Sequence, residues 1–172
     1  MNYHGPLNGT SPERGANFGY PDCFAAWDPS VIPNNQNIKV GTQFLIGTAS
    51  GQLSDATCAS RNAPRLCFPA HTAPLDIKFN SNATAAYITF HGSWDRSPPD
   101  GYRLSKIIFD PATGQPTEPS TSTTAAINVM SNPNNGNCPS RCFRPVGLAF
   151  DSKGRLFMSS DSTNEVWIIG GT

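Results

Sequence analysis

At 172 residues the chain is the size of one domain, and its 12 basic and 12 acidic residues cancel to zero formal charge. Charged residues are only 14% of the total, and 15 Gly and 16 Pro punctuate the rest; ordinary soluble domains carry roughly 25% charge. This balance excludes a helical bundle and a basic nucleic-acid surface, and no apolar run approaches the ~18 residues of a membrane-spanning helix. A turn-rich, all-β protein remains.

Residues 1–40 are rich in Asn, Pro and Gly and show little periodicity. Asn8-Gly9-Thr10 and, further on, Asn82-Ala83-Thr84 are glycosylation sequons. A short apolar block at 44–46 precedes a polar, cysteine-containing stretch that runs to Arg65. From there the pattern sharpens, and strands are predicted at 75–79, 85–90, 102–109 and 125–130, each pair separated by turn residues. Residues 115–124 form a Pro/Ser/Thr linker between the last two. Cys138 and Cys142, four apart in a Pro/Gly/Asn-rich loop, suit a small disulfide clasp. Two of Cys23, Cys58 and Cys67 can form a second bridge, which leaves one thiol over. No His follows at zinc-finger spacing.

The arrangement then restarts. Ala73-Pro74-Leu75-Asp76-Ile77-Lys78-Phe79 can be laid on Arg144-Pro145-Val146-Gly147-Leu148-Ala149-Phe150 at an offset of 71 residues. Each is followed by a turn and a second strand, and a third strand at 165–169 closes the later unit. A four-strand module repeated with a Pro-led inner strand is the signature of propeller blades. Residues 68–130 read as one full blade and 141–172 as an incomplete last blade. A blade face left without its neighbour exposes ~400 Å² of apolar surface, worth ~10 kcal/mol at ~25 cal/mol/Å². The chain is therefore expected to be the C-terminal part of one larger propeller domain.

Neighbouring strands of a blade run in opposite directions, so the start of the first and the end of the second lie on one face. That rule gathers four segments without any alignment: 70–72, 91–96, 141–144 and 160–162. Loops at strand ends are where a rigid scaffold carries function. Residues 91–96 are the densest, with His91, Gly92, Trp94 and Arg96 close together. Trp94 can stack on a flat ring, Arg96 can offer paired donors to a carboxylate, and Arg144 adds a second cation. The bland alternative packs Trp94 between blades and pairs Arg96 with Asp95 or Asp100. His4, His71 and His91 stand singly, and Asp161 with Asn164 supplies too few carboxylates to argue a calcium site.

His91-Gly92-Ser93-Trp94-Asp95-Arg96 followed by Pro99-Asp100-Gly101-Tyr102 resembles a stretch of soluble quinoprotein glucose/sorbosone dehydrogenases. Arg144 to Asp151 with Ser159-Ser160-Asp161 resembles that family's last blade. Asn17 to Cys23, with Ala70 to Asp76, narrows the likeness to fungal secreted pyranose dehydrogenases that depend on pyrroloquinoline quinone (PQQ). The resemblance implies a partial six-bladed β-propeller of about two to three blades, PQQ with calcium as cofactors, and an extracellular full-length protein. It implies oxidation of a carbohydrate, with electrons leaving to a cytochrome or another acceptor. Carried over by position, Trp94 stacks near the quinone, Arg96 and Arg144 meet its carboxylates, His91 lies close by, and His71 is a rim candidate. The family's general base and calcium loop lie in earlier blades, so no catalytic or metal residue is assigned here. Met1 opens in mid-fold with no leader, as a truncated gene model or fragment would, and such a piece alone is expected to be inactive. Among the cysteines the resemblance prefers Cys23–Cys58 and leaves Cys67 spare. The rival readings are a lactonase-like hydrolytic propeller and a non-catalytic propeller module used for binding.

Overall fold

The computed structural model describes residues 1–46 and 53–170, which fall into two compact units. The first comprises Met1–Phe68 with Pro119–Thr123, and the second Pro69–Glu118 with Thr124–Thr172.

In the first unit a short hairpin pairs β1 (Cys23–Ala25) antiparallel with β2 (Gln43–Leu45), with Phe24 opposite Phe44. One turn of helix, α1 (Asp55–Ala59), begins at Ser54, whose hydroxyl accepts from the Thr57 N–H; that cap satisfies a donor the helix would otherwise leave open. The helix buries Cys58, which is disulfide-bonded to Cys23 of β1. The Leu45 N–H also reaches the Asp55 carboxylate at 2.9 Å, so helix and hairpin are tied twice. Cys67 is the free, buried thiol, and burial pushes its pKa up, against the pull of the Met1 ammonium.

The second unit is built from two antiparallel sheets. The first joins β3 (Pro74–Phe79), β4 (Ala85–Phe90), β5 (Arg103–Asp110) and β7 (Ile127–Ser131) in that order, with β6 (Gln115–Pro116) pairing only the far end of β5. The second orders β8 (Pro145–Phe150), β9 (Leu156–Ser160) and β10 (Glu165–Ile169). The predicted strands recur within two residues at each end. The 71-residue repeat is visible in the register too: β3 slips between Pro74 and Asp76, β8 between Pro145 and Leu148. Proline suits this place because β3 and β8 are edge strands, where a missing N–H breaks no ladder.

Between the two sheets lies the core of the unit, made of Tyr87, Leu104, Phe143, Leu148, Leu156 and Met158. Tyr87 meets Phe150 edge-on at 5.7 Å. A polar clasp crosses the same interface. The Asp76 carboxylate accepts from the Leu148 N–H at 2.8 Å, and the buried Thr89 hydroxyl donates to the Val146 carbonyl at 2.7 Å. Among the described residues the sheets do not close into a ring. Among the described strands β10 pairs only β9, and its Val166 and Ile168 side chains remain exposed.

Burial works to raise the Asp76 carboxyl, but the Leu148 N–H, Lys78 and the Ile77 N–H together hold it below the ordinary aspartate value. Stability from this group is therefore present above that ordinary value and lost as pH falls through the lower folded one. Asp76→Ala is expected to cost ~1.5–3 kcal/mol at neutral pH, the worth of a hydrogen bond to a charged group. It should also flatten the acid limb of a stability–pH curve measured by urea denaturation. An acid limb unchanged in the variant would remove Asp76 from this role.

Candidate functional site

The loops at one end of the second unit are fixed by backbone bonds between the segments that the strand-direction rule gathers. The His91 N–H donates to the Ala73 carbonyl at 2.9 Å, and the Gly92 N–H to the Thr72 carbonyl at 3.2 Å. On the neighbouring sheet the Asp161 N–H donates to the Arg144 carbonyl at 3.3 Å, and the Arg144 N–H to the Ser160 hydroxyl at 3.1 Å.

Tight glycine packing brings the first pair of segments together. Gly92 sits at φ +115°, where the Tyr102 ring occupies the space a Cβ would need, and Tyr102 is only 1% exposed. A Cβ on Gly101, at φ +91°, would stand 2.7 Å from the Gly92 Cα. Two glycines therefore let the backbones pass in contact beneath a buried aromatic ring. Ser93, fully buried, closes the turn: its hydroxyl donates to the Asp100 carbonyl at 2.8 Å and accepts from the Asp100 N–H at 2.6 Å.

On this frame three side chains from distant parts of the chain meet. Arg144 Nη2 donates to His91 Nδ1 at 3.1 Å, and His91 Nε2 lies 2.9 Å from Asp161 Oδ2. A guanidinium has no acceptor, so Nδ1 must be the lone-pair nitrogen of the ring. The proton is then on Nε2, which donates to Asp161. His91 is thus held as the neutral Nε2–H tautomer, linking a cation to an anion, and its side chain is only 16% exposed. The Nε of Arg144 is buried and has no hydrogen-bond partner among the described residues.

Arg96 and Trp94 have different surroundings. Arg96 donates from Nη1 to the Ala70 carbonyl at 3.0 Å and from Nε to the Pro98 carbonyl at 3.1 Å, with the Asp100 carboxylate 3.8 Å away. The pairing with Asp100 is the one the bland alternative foresaw, and it leaves Nη2 as the donor group outside these contacts. Burial works to raise the Asp100 carboxyl, yet the Gly101 N–H, Arg103 and Arg96 hold it below its ordinary value. Trp94 is 77% exposed, so the indole is not packed between sheets.

Two partnerships escaped sequence reasoning. The sequence offers Asp161 only to a calcium ion and Asp95 only to Arg96; in the fold Asp161 holds His91, and the Asp95 carboxylate lies 2.8 Å from His71 Nδ1. The signal was present in the strand-direction rule, which had already placed 70–72 with 91–96 and 141–144 with 160–162. His71 is held at φ +62°, a left-handed conformation that costs a non-glycine residue roughly 1–2 kcal/mol. Among the described residues no group of three or more His, Cys, Asp or Glu side chains is placed to hold a metal ion, and no helix is long and apolar enough to cross a membrane.

The class of protein follows from comparison with known ones. The TrAA12-like family model matches residues 1–172, and the chain belongs to that family. It is 48% identical over 170 residues to a pyrroloquinoline quinone-dependent sugar dehydrogenase of Hypocrea jecorina (strain QM6a), covering 98% of this chain and 37% of that protein. To a pyrroloquinoline quinone-dependent pyranose dehydrogenase of Coprinopsis cinerea it is 41% identical over 165 residues, covering 88% of this chain and 22% of the relative. The calcium structure of the Trichoderma reesei family AA12 carbohydrate-active enzyme superposes with a TM-score of 0.91 at 50% identity, covering 97% of this chain and 41% of that one. The holo form of the PQQ domain of the Coprinopsis cinerea pyranose dehydrogenase superposes with a TM-score of 0.78 at 39% identity, covering 87% and 39%. The chain thus spans well under half the length of the relatives it matches.

Proposed function

We propose that this chain is the C-terminal part of a PQQ-dependent dehydrogenase that oxidises the CH–OH or aldehyde-hydrate carbon of a sugar. The observation that carries the reading is Arg144, a cation braced by His91 and Asp161 with one buried donor, Nε, unmet. A buried donor without a partner is a place for an oxygen acceptor, and a guanidinium is the group best suited to a carboxylate. An exposed indole at Trp94, at the same end of the unit, suits a planar ring. These residues fit a flat polycarboxylate such as PQQ; they do not form a calcium site, and no calcium ligand is assigned among the described residues.

When bound, PQQ supplies the two-electron acceptor for the oxidation. The roles of this chain are binding and orientation. Arg144 holds a cofactor carboxylate, and His91 fixes the guanidinium plane through Nδ1 while Asp161 fixes the imidazole. Trp94 offers its face to the ring. Arg96 shapes the 91–100 loop through Ala70 and Pro98 and has Nη2 to offer a second carboxylate. The general base and the calcium loop belong to other parts of the whole protein, and this chain alone is expected to be inactive. Carbohydrate is the substrate class, and a cytochrome or other acceptor takes the electrons. Two disulfides suit an extracellular setting.

The test is titration of the full-length protein with PQQ and calcium, followed by quinone absorbance and by dye reduction with sugars. Arg144→Ala should weaken quinone binding by ~1.5–3 kcal/mol, the worth of a charged hydrogen bond. Unchanged quinone affinity would remove Arg144 from the site, and a full-length protein showing neither signal would overturn the reading.

A further inference from the structure

His71 and Asp95 form a second histidine–carboxylate pair, and its geometry is the reverse of that at His91. Here the carboxylate meets Nδ1, at 2.8 Å. An ionised carboxylate only accepts, so Nδ1 carries a proton, and in the neutral imidazole Nε2 is then the lone-pair acceptor. The His71 side chain is 54% exposed.

Four features set this pair apart from an incidental surface contact. The partners are 24 residues apart and come from two loops that backbone bonds hold together. His71 occupies left-handed backbone at φ +62°, and Ala73, two residues on, does the same at φ +46°. Thr72 between them is buried, and its hydroxyl donates to the Pro69 carbonyl at 2.9 Å, which pins the segment. Finally, Asp95 directly follows the exposed Trp94. Strained backbone persists where the surroundings over-determine it, and it clusters at ligand clamps. An oriented, solvent-facing acceptor beside the loop that carries Trp94 suits a sugar, whose O–H groups are donors.

We propose that His71 is a substrate-binding residue whose Nε2 accepts a hydrogen bond from a sugar hydroxyl, with Asp95 as the positioning residue that fixes the tautomer. This rests on the sugar-dehydrogenase reading above and adds to it a residue that selects among sugars by one hydroxyl.

Two measurements test it. In the full chain, long-range proton–nitrogen NMR should show His71 Nε2 unprotonated and moving upfield as an aldopyranose is titrated in. The shift should be lost with the one deoxy analogue that lacks the recognised hydroxyl. A protonated Nε2, or no shift with any of a panel of aldopyranoses, overturns the proposal without reference to activity. In the full-length, PQQ-loaded protein, His71→Asn, which tolerates left-handed backbone, should raise KM about 3- to 10-fold with kcat within about 2-fold and quinone affinity unchanged. Asp95→Asn should raise KM about 2- to 4-fold with the same split, by loosening one hydrogen bond. Variants with unmoved KM in an active protein overturn this proposal alone, as does a loss of quinone affinity, which would mean a structural role. A wild-type protein that oxidises no sugar overturns the proposed function and this assignment together.

Discussion

Gly92→Ala is expected to destabilise the second unit by ~2–6 kcal/mol, a large share of the ~5–15 kcal/mol that holds a typical domain together. Two costs add. A side chain at φ +115° is strained by ~1–3 kcal/mol. The new Cβ must also displace the Tyr102 ring, which is buried and has nowhere to move; such overpacking costs ~1–3 kcal/mol. Equilibrium denaturation followed by far-ultraviolet circular dichroism measures the sum. In a Tyr102→Ala background the same substitution should cost ~1–3 kcal/mol less, because the overlap is gone while the backbone strain stays. Equal costs in the two backgrounds would show that the ring does not set the identity of residue 92.

Removing the Cys23–Cys58 bridge should be the second large effect. Its partners lie 35 residues apart, and closing a loop of that length restricts the unfolded chain by ~3–4 kcal/mol. The Cys138–Cys142 bridge spans only 4 residues, for which the same relation gives ~2 kcal/mol. Paired serine substitutions, Cys23→Ser with Cys58→Ser against Cys138→Ser with Cys142→Ser, should therefore rank in that order in guanidinium denaturation. Peptide mapping should find one free thiol, Cys67, that alkylates slowly because burial disfavours its thiolate. The reverse ranking, or Cys67 found in a disulfide, would contradict the arrangement.

Much of the fold could be read from the sequence because its signals are local. Alternation in residues 75–79 and the apolar blocks at 85–90 and 102–109 mark strands, and strands stand there. The Pro-led repeat at an offset of 71 residues also survives as two bulged edge strands. The short elements of the first unit were harder to see. Strand β1 has three residues and α1 five, too few for either to show a period, and α1 is held by a cap and a disulfide rather than by an apolar face. Pro119–Thr123 looked like a plain linker, yet it packs with the first unit, a preference that composition does not encode.

The candidate site divides in the same way. Residue types and strand direction were enough to bring His91, Trp94, Arg96 and Arg144 to one end of the sheets, because side-chain chemistry and antiparallel reversal are properties of the chain itself. Which donor meets which acceptor was decided only by tertiary structure. Arg96 turned to the carbonyls of Ala70 and Pro98, Arg144 to His91, and Asp95 to His71. Each of these bonds depends on a few ångströms of backbone placement, which Gly92, Gly101 and the left-handed residues His71 and Tyr102 provide. A hydrogen bond fails over a displacement that leaves sequence pattern untouched, so the pairing could emerge only after the sheets had packed.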